Sequence, residues 1–475
     1  MSKTIVVIGA GPAGLACAHR LLERGDFKVI LIEKASFVGG LGGSFNWKEH
    51  ILDFGPHAFH TKGGEPESLV RNLFKDDPEN LIMGRKKVSV YLRSKFYKYP
   101  LQVGEVFRKF NPLLSIRILV EFIFTSIVHA LVAIPIENFE IWGNKRFGRK
   151  LYRLGFGDYT EKVWKTKTSD ISAKFAPAKI QGFSFIHFVK KLFKIGGEVT
   201  EPYFQTWLYP KMGSAELYRR LASKIEEKGG SIILDAEISY ISHNNGKAEC
   251  VEYTRNGEKV SIKTDYVIST IHLGHLGNLL VPEPPFIASH HFQKLKYISL
   301  IVVYLELNID KVSDMHWFYL LDKSFQFNRV AEQKNLCKDT FKSNKTVLSM
   351  ELTCRHGDEL WNMGDEELIN MAKEDITKIP IIDAGLVSGA IVKRFPNAYE
   401  LYYKNFDKHA DISLAYVNSI EGLFSVGRRG LFLQGDQYQS VEMGLEIGNI
   451  LLQKDITDIS ANEYYKKYVR YVDEI

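Results

Sequence analysis

Residues 4–33 restrict the chain to few folds. An apolar run, Thr4-Ile5-Val6-Val7-Ile8, leads into Gly9-Ala10-Gly11-Pro12-Ala13-Gly14 and then a helical pattern carried by Leu15, Ala18, Leu21 and Leu22. A second apolar run, Lys28-Val29-Ile30-Leu31-Ile32, ends on Glu33. Strand, glycine turn, helix, strand and acid in this order form the βαβ unit that binds a dinucleotide. Gly9 permits the tight turn, Gly11 lets the backbone approach a pyrophosphate, and Gly14 lets the helix pack close to the strand. Pro12 and Ala13 open the helix, whose N-terminus presents unpaired N–H groups and a positive partial charge to the phosphates. Glu33 is placed to accept hydrogen bonds from ribose hydroxyls, and its charge would repel a 2′-phosphate.

A second glycine cluster, Gly39-Gly40-Leu41-Gly42-Gly43-Ser44, follows Glu33 and Lys34 directly. This pairing resembles the FAD-binding flavoproteins with two dinucleotide-binding domains, not the simple NAD dehydrogenases. The resemblance implies an α/β, Rossmann-like FAD-binding fold with a sheet-based substrate domain and a helical insertion. FAD is the expected cofactor. Its expected contacts are Gly9, Gly11, Pro12, Ala13, Gly14, Glu33, Lys34, Gly40, Leu41 and Gly42, joined from the far end of the chain by Gly427, Arg428 and Gln437.

The length, 475 residues, accommodates two or three domains. A net charge of +6 over that length does not suggest a nucleic-acid binder but suits an anionic small molecule. Cys17, Cys250, Cys337 and Cys354 are widely spaced, which argues against a disulfide framework or a zinc site and for a reduced, cytoplasmic compartment. The first strand begins within four residues, leaving no room for a signal peptide. Ile118–Ile136 is apolar apart from Glu121, Thr125, Ser126 and His129. A charge at depth in a bilayer is costly, so the expectation is a buried helix, with membrane contact at most peripheral.

Five segments follow: 1–84 as the first part of the cofactor domain, 85–205 as a mostly helical region, 206–284 as the second part, 285–415 as a mixed α/β domain, and 416–475 as the third part. Helices are expected over 65–75, 215–228, 365–377 and 440–452. Asn244-Asn245-Gly246 and Asn256-Gly257 mark hairpins. Asp265–Thr270 reads as a strand returning to the nucleotide-binding sheet.

Several motifs then coincide with one family. Gly55-Pro56-His57-Ala58-Phe59-His60-Thr61 closely resembles a segment of the UDP-galactopyranose mutases. Asp158-Tyr159-Thr160-Glu161-Lys162-Val163-Trp164 is similar to their Tyr-Thr-x-Lys-x-Trp-Gly stretch, except that Lys165 stands in place of the glycine. Asn328–Glu332, Ala398-Tyr399 and Gly427-Arg428-Arg429-Gly430 with Asp436–Gln439 resemble further family segments. The N- and C-terminal motifs are shared with protoporphyrinogen oxidases, phytoene desaturases and amine oxidases. The resemblance implies covalent catalysis without net redox change: reduced flavin N5 attacks the anomeric carbon of a nucleotide sugar, the diphosphate leaves, and the ring recloses at the other size. By the same resemblance His57 sits beside the flavin, His60 lies behind it, Arg329 and Arg428 or Arg429 hold the diphosphate, and Tyr399 donates a hydroxyl.

Each residue also has a plainer reading. His57 and His60 could satisfy core backbone groups, Tyr159–Trp164 could be a packed helix start, and Arg329 could pair with Glu332 at the surface. Of Arg428 and Arg429, one is expected on the cofactor or substrate and the other in solvent. Two main functional classes remain open. One is a nucleotide-sugar mutase, probed by a small-molecule nucleotide sugar; the other is an FAD oxidoreductase taking a hydride from a C–H bond. A cofactor-binding protein without catalysis is the third.

Overall fold

The computed structural model describes residues 2–99, 103–132, 134–176, 206–453, 464, 465, 467 and 468. The helical expectation for 177–194 lies outside the described residues.

The opening motif folds as its spacing requires. Strand β1 (Lys3–Ile8), helix α1 (Pro12–Arg24) and strand β2 (Phe27–Ile32) form the βαβ unit. It belongs to a five-stranded sheet in the order Ser231–Ile233, β2, β1, Tyr266–Ser269, Leu423–Ser425, with every neighbouring pair parallel. The strands come from the beginning, middle and end of the chain, so the cofactor half closes only when distant segments meet. β1 is buried along Val6–Ile8, as a parallel strand covered on both faces should be. α1 packs against the C-terminal helix Gln437–Leu451, so closely that a β-carbon at Gly444 would stand 2.1 Å from the Ala13 carbonyl oxygen. Both expected hairpins form, with Asn245 and Gly246, and Asn256 and Gly257, all at positive φ.

A seven-stranded sheet builds the second half. Its order is Val387–Glu400, Tyr297–Leu307, Thr346–Cys354, Arg329–Glu332, Trp317–Leu320, Val88–Leu92, Lys95–Lys98. This sheet therefore takes two strands from the 85–205 segment. Alternation along the strands separates its faces. Ile301, Val303, Leu305, Val330 and Met350 form a core with Leu368, Ala372 and Ile376 of the Asp365–Thr377 helix. Leu300, Val302 and Tyr304 face the cofactor half, around Leu52. Asp53 joins the two halves. Its carboxylate accepts hydrogen bonds from Ser44, Tyr209 and the Ser214 N–H, and its carbonyl accepts one from the Tyr304 hydroxyl at 2.8 Å. Burial pushes this acid up to about 7, against those donors.

The remaining arm runs through helix α2 (Pro112–Leu131), Phe139–Phe147, Arg149–Tyr152, a π-helical turn Arg153–Gly157, and Asp158–Trp164. Asn111 caps α2 by accepting from the Leu113 N–H. Here the expectation of a buried helix is corrected. Ile118 is 2% exposed, but Leu113, Ile116, Val120, Ile123, Phe124, Ile127 and Leu131 are all exposed. Among the described residues, the Ile118 and Phe122 side of α2 is the one that packs on the protein, where α2 lies across the Phe139–Tyr152 helices.

Candidate active site

The cofactor cradle is set by close approaches of backbone. Gly9 has φ +100°, and a β-carbon there would stand 2.4 Å from Thr270 Oγ1. A β-carbon at Gly14 would lie 2.0 Å from the Gly9 carbonyl oxygen, so α1 can approach β1 only with glycine at this position. Gly11 differs: a β-carbon there would meet nothing within 4 Å. The space beyond Gly11 is what a pyrophosphate needs, and no side chain caps the start of α1, where Pro12 and Ala13 stand.

Glu33 holds the turn together. Its carboxylate accepts the Ala10 N–H at 2.7 Å and the Ala35 N–H at 2.8 Å, leaving lone pairs for ribose hydroxyls. The second glycine cluster is tied to the first by the Gly39 N–H donating to the Ala10 carbonyl at 2.7 Å, with Gly40 against Gly11 and Gly42 beneath the Tyr218 ring. Leu41 packs with the Leu52 cluster. Lys34 is less involved, since its ammonium pairs with Glu237 at 2.6 Å on the surface. The far end of the chain closes over α1. Gly427 has φ +77°, and a β-carbon there would stand 2.7 Å from the Ala13 β-carbon. Gln437 accepts from the Tyr218 hydroxyl at 2.5 Å, and its buried Nε2 has no hydrogen-bond partner among the described residues. His57 Nδ1 is likewise buried, with no hydrogen-bond partner among the described residues. These two buried, unpaired nitrogens and the open space at Gly11 fit an FAD.

A second wall stands on the seven-stranded sheet. Tyr319 lies opposite Arg329, and Arg329 opposite Glu351, in register across three strands. Arg329 Nε donates to Glu351 at 3.0 Å and Nη2 donates to its other oxygen. The plainer alternative of an Arg329–Glu332 surface pair does not form: Glu332 is buried and accepts from Thr346 and the Val312 and Ser313 N–H groups. Successive strand residues point to opposite faces, so Glu332, three positions on, could not share the Arg329 face.

Aromatic rings complete this wall. Tyr319 meets Tyr99 at 5.3 Å and Tyr159 at 6.0 Å between centroids, and Trp164 meets Tyr399 at 6.2 Å. Arg428 lies 5.8 Å from the Tyr399 ring centroid and donates to Glu400 at 3.1 Å and to the Ala398 carbonyl at 2.9 Å. Burial pushes the Tyr399 hydroxyl up to about 12, helped by the Glu351 charge. Burial, with Arg429's neighbour Arg428 adding like charge, lowers Arg429 to about 10. Both arginines are half-buried, which corrects the expectation that one is solvated.

His57 joins cradle and wall. Burial, then the charges of Arg329 and Arg428, lower it to about 3, so its imidazole is neutral at pH 7. His60 is held elsewhere, on the short strand Phe59–His60 paired with Trp207, and is lowered to about 3 by burial and by Lys86 and Lys62. Lys162 takes a structural place: its ammonium donates to the carbonyls of Leu320, Phe327 and Asp322, tying the helical arm to the sheet. Sequence reasoning missed Tyr319, Glu351 and Glu400. Glu351 carried the one available signal, an acid inside the apolar run Thr346–Leu352.

The comparisons bear on this arrangement. A 4,4′-diapophytoene desaturase (4,4′-diapolycopene-forming) from Methylomonas sp is 23% identical over 375 residues, 71% of this chain and 68% of the relative. A probable UDP-galactopyranose mutase from Klebsiella pneumoniae is 25% identical over 181 residues, 36% of this chain and 44% of the relative. Among solved structures, reduced UDP-galactopyranose mutase superposes with a TM-score of 0.83 at 17% identity, covering 98% of each chain. A putative protoporphyrinogen oxidase from Exiguobacterium gives a TM-score of 0.72 at 15% identity, covering 96% of this chain and 100% of the other. The family description flavin containing amine oxidoreductase matches residues 12–399. With the cradle above, that match makes FAD the cofactor, and the chain belongs to the flavin-containing amine oxidoreductase family.

Proposed function

We propose that this FAD enzyme is a nucleotide-sugar mutase that interconverts pyranose and furanose rings. The observation that carries this reading is the convergence of Arg329 and Arg428 on His57, within a wall containing Tyr159, Tyr319 and Tyr399. Guanidinium forks and phenol hydroxyls suit a diphosphate leaving group. A hydrocarbon or simple amine offers such groups no anion. The relative described as a probable UDP-galactopyranose mutase supports the same reading.

When bound, FAD supplies a nucleophilic nitrogen in its reduced form or a hydride acceptor in its oxidised form. The protein's own groups do the rest. Glu351 holds Arg329 through Nε and Nη2, leaving Nη1 for a ligand oxygen. Tyr399 stays protonated at neutral pH and donates a hydrogen bond. Neutral His57 offers a polar contact at the cofactor without adding a third positive charge. The tyrosines and Trp164 exclude water, which strengthens each charge interaction.

The second reading, hydride transfer to FAD, is favoured by the desaturase relative, whose alignment covers 71% of this chain. One experiment separates them. The FAD-loaded protein is reduced with dithionite under argon and supplied with UDP-hexoses. Ring-size isomers resolved by chromatography support the mutase. Absence of isomers, with bleaching of oxidised flavin by an organic substrate, replaces it with the oxidoreductase.

A further inference from the structure

Helix α2 presents an apolar face that nothing among the described residues covers. Leu113, Ile116, Val120, Ile123, Phe124, Ile127 and Leu131 recur at intervals of three and four, or one, residues and form a continuous outward stripe. Phe124 is 66% exposed, Leu113 77% and Leu131 80%. Pro112–His129 is long and apolar enough to cross a membrane by length and composition. Its packing argues for a different placement. Ile118 is buried at mid-helix, and a β-carbon at Gly148 would stand 3.1 Å from the Phe122 Cα. The helix is thus strapped along the protein body through its middle, which leaves one long side free to lie on an interface.

Charge identifies that interface. Residues 103–153 contain eight basic and four acidic side chains, a net +4 of the chain's +6. Arg117 on α2 is exposed, as are Arg108 just before it and Lys145, Arg146 and Arg149 on the helices that α2 crosses. Glu105 is taken up by Lys109, and Glu140 by Arg153. An apolar stripe bordered by a net excess of exposed basic side chains matches the surface of an anionic bilayer, where acyl chains take the stripe and headgroup phosphates the cations. A protein partner would need an acidic rim around an apolar groove; a bilayer needs only area.

We propose that this protein docks on anionic lipid bilayers through α2, with Arg146 and Arg149 among its headgroup contacts. Ile118 shares an apolar cluster with Leu321, Tyr159 and Tyr319, so docking brings the candidate substrate wall close to the membrane surface.

The test is flotation of the FAD-loaded full chain with phosphatidylcholine vesicles, with and without phosphatidylglycerol, alongside sedimentation velocity without lipid. The expected result is flotation that depends on phosphatidylglycerol. Phe124→Glu with Ile127→Glu should abolish it while flavin absorbance and melting temperature stay unchanged. Arg146→Gln and Arg149→Gln should each weaken it by about fivefold. Three results would overturn the proposal: equal flotation on neutral vesicles with no effect of the arginine substitutions; sedimentation as a dimer that the α2 substitutions dissociate; or a monomer that never floats.

Discussion

The cofactor cradle and the tyrosine–arginine wall are built on opposite plans. In the cradle, backbone meets backbone: Gly14 against the Gly9 carbonyl, Gly39 on Ala10, Gly444 against the Ala13 carbonyl. Its requirements are absence of side chain and correct turn geometry. In the wall, Tyr99, side chains of the helical arm and those of the later strands meet across an assembled sheet, and Arg329 and Arg428 are each oriented by a buried acid. Cradle defects should therefore act on folding and FAD together. Wall defects should leave FAD in place and remove turnover.

The largest effect is expected at the cradle. Gly14→Val puts two extra branches where even a β-carbon lies 2.0 Å from backbone. We expect a loss of about 3 kcal/mol, the upper range for overpacking, and purification without flavin colour. Absorbance spectra and denaturant melts check both. A yellow Gly14→Val protein of normal stability would break the distinction at its stronger end.

In the wall, Arg329→Met keeps bulk but leaves Glu351, whose side chain is 8% exposed, without its partner. The expected cost is about 2 kcal/mol, the range for hydrogen bonds to charged groups, with FAD retained. Turnover on the nucleotide sugar should fall at least a hundredfold if Arg329 holds the leaving group, since one such contact contributes about 3 kcal/mol to a transition state. Steady-state rates and flavin content on the same sample separate the two effects. A flavin-free Arg329→Met protein would assign the residue to the cradle.

How legible these regions were follows from the same distinction. The cradle was readable because its motif is local: Gly9 to Glu33 spans one βαβ unit, and glycine spacing states the geometry directly. The wall was readable only in part. Arg329, Tyr399 and His57 stood in recognisable segments, but Glu351 and Tyr319 face Arg329 through strand register, which depends on pairings made after folding. Burial of α2 was misread for a related reason. An apolar run without a polar face looks the same whether protein or another medium covers it, and only the one-sided packing at Ile118 and Phe122 distinguishes the cases. Lys162 shows the limit from the other side: its motif carried a family resemblance without fixing a role, and the structure shows three backbone carbonyls on its ammonium.

The histidines sharpen the comparison through pH. His57 and His60 both fall from 6.5 to about 3 on folding, chiefly by burial. The folded state therefore binds fewer protons than the unfolded chain between those values. Their contribution is present in full above pH 6.5 and is lost as pH falls toward 3. Each can add a slope of up to about 1.4 kcal/mol per pH unit in that window. His57→Gln and His60→Gln should each flatten the acid limb of stability against pH. Only His57→Gln should also lower turnover, because His60 faces Lys62 and Lys86, away from the arginines. Equal loss of turnover in both would place His60 at the site.

The smallest effect is expected where the helical arm meets the wall. Lys165 follows Trp164 at the end of the Asp158–Trp164 helix with φ +48° and ψ +35°, the left-handed conformation in which such helices usually end on glycine. A β-carbon there costs about 1 kcal/mol, and glycine loses part of that advantage through the greater freedom of its unfolded chain. The net gain expected for Lys165→Gly is about 0.5 kcal/mol, while Lys165→Ala, which keeps the β-carbon, should show none. The Lys165 carbonyl accepts from Arg355 at 2.9 Å through backbone alone, so neither substitution removes that bond. Thermal melts of the two variants isolate the conformational term from the charge. If alanine stabilises as much as glycine, removal of the half-buried ammonium and not relief of the backbone is the cause, and the lysine at this turn would be a cost of electrostatics. If only glycine stabilises, the turn retains its demand for glycine, and a more rigid Trp164–Tyr399 contact should leave FAD affinity unchanged while KM for the substrate shifts.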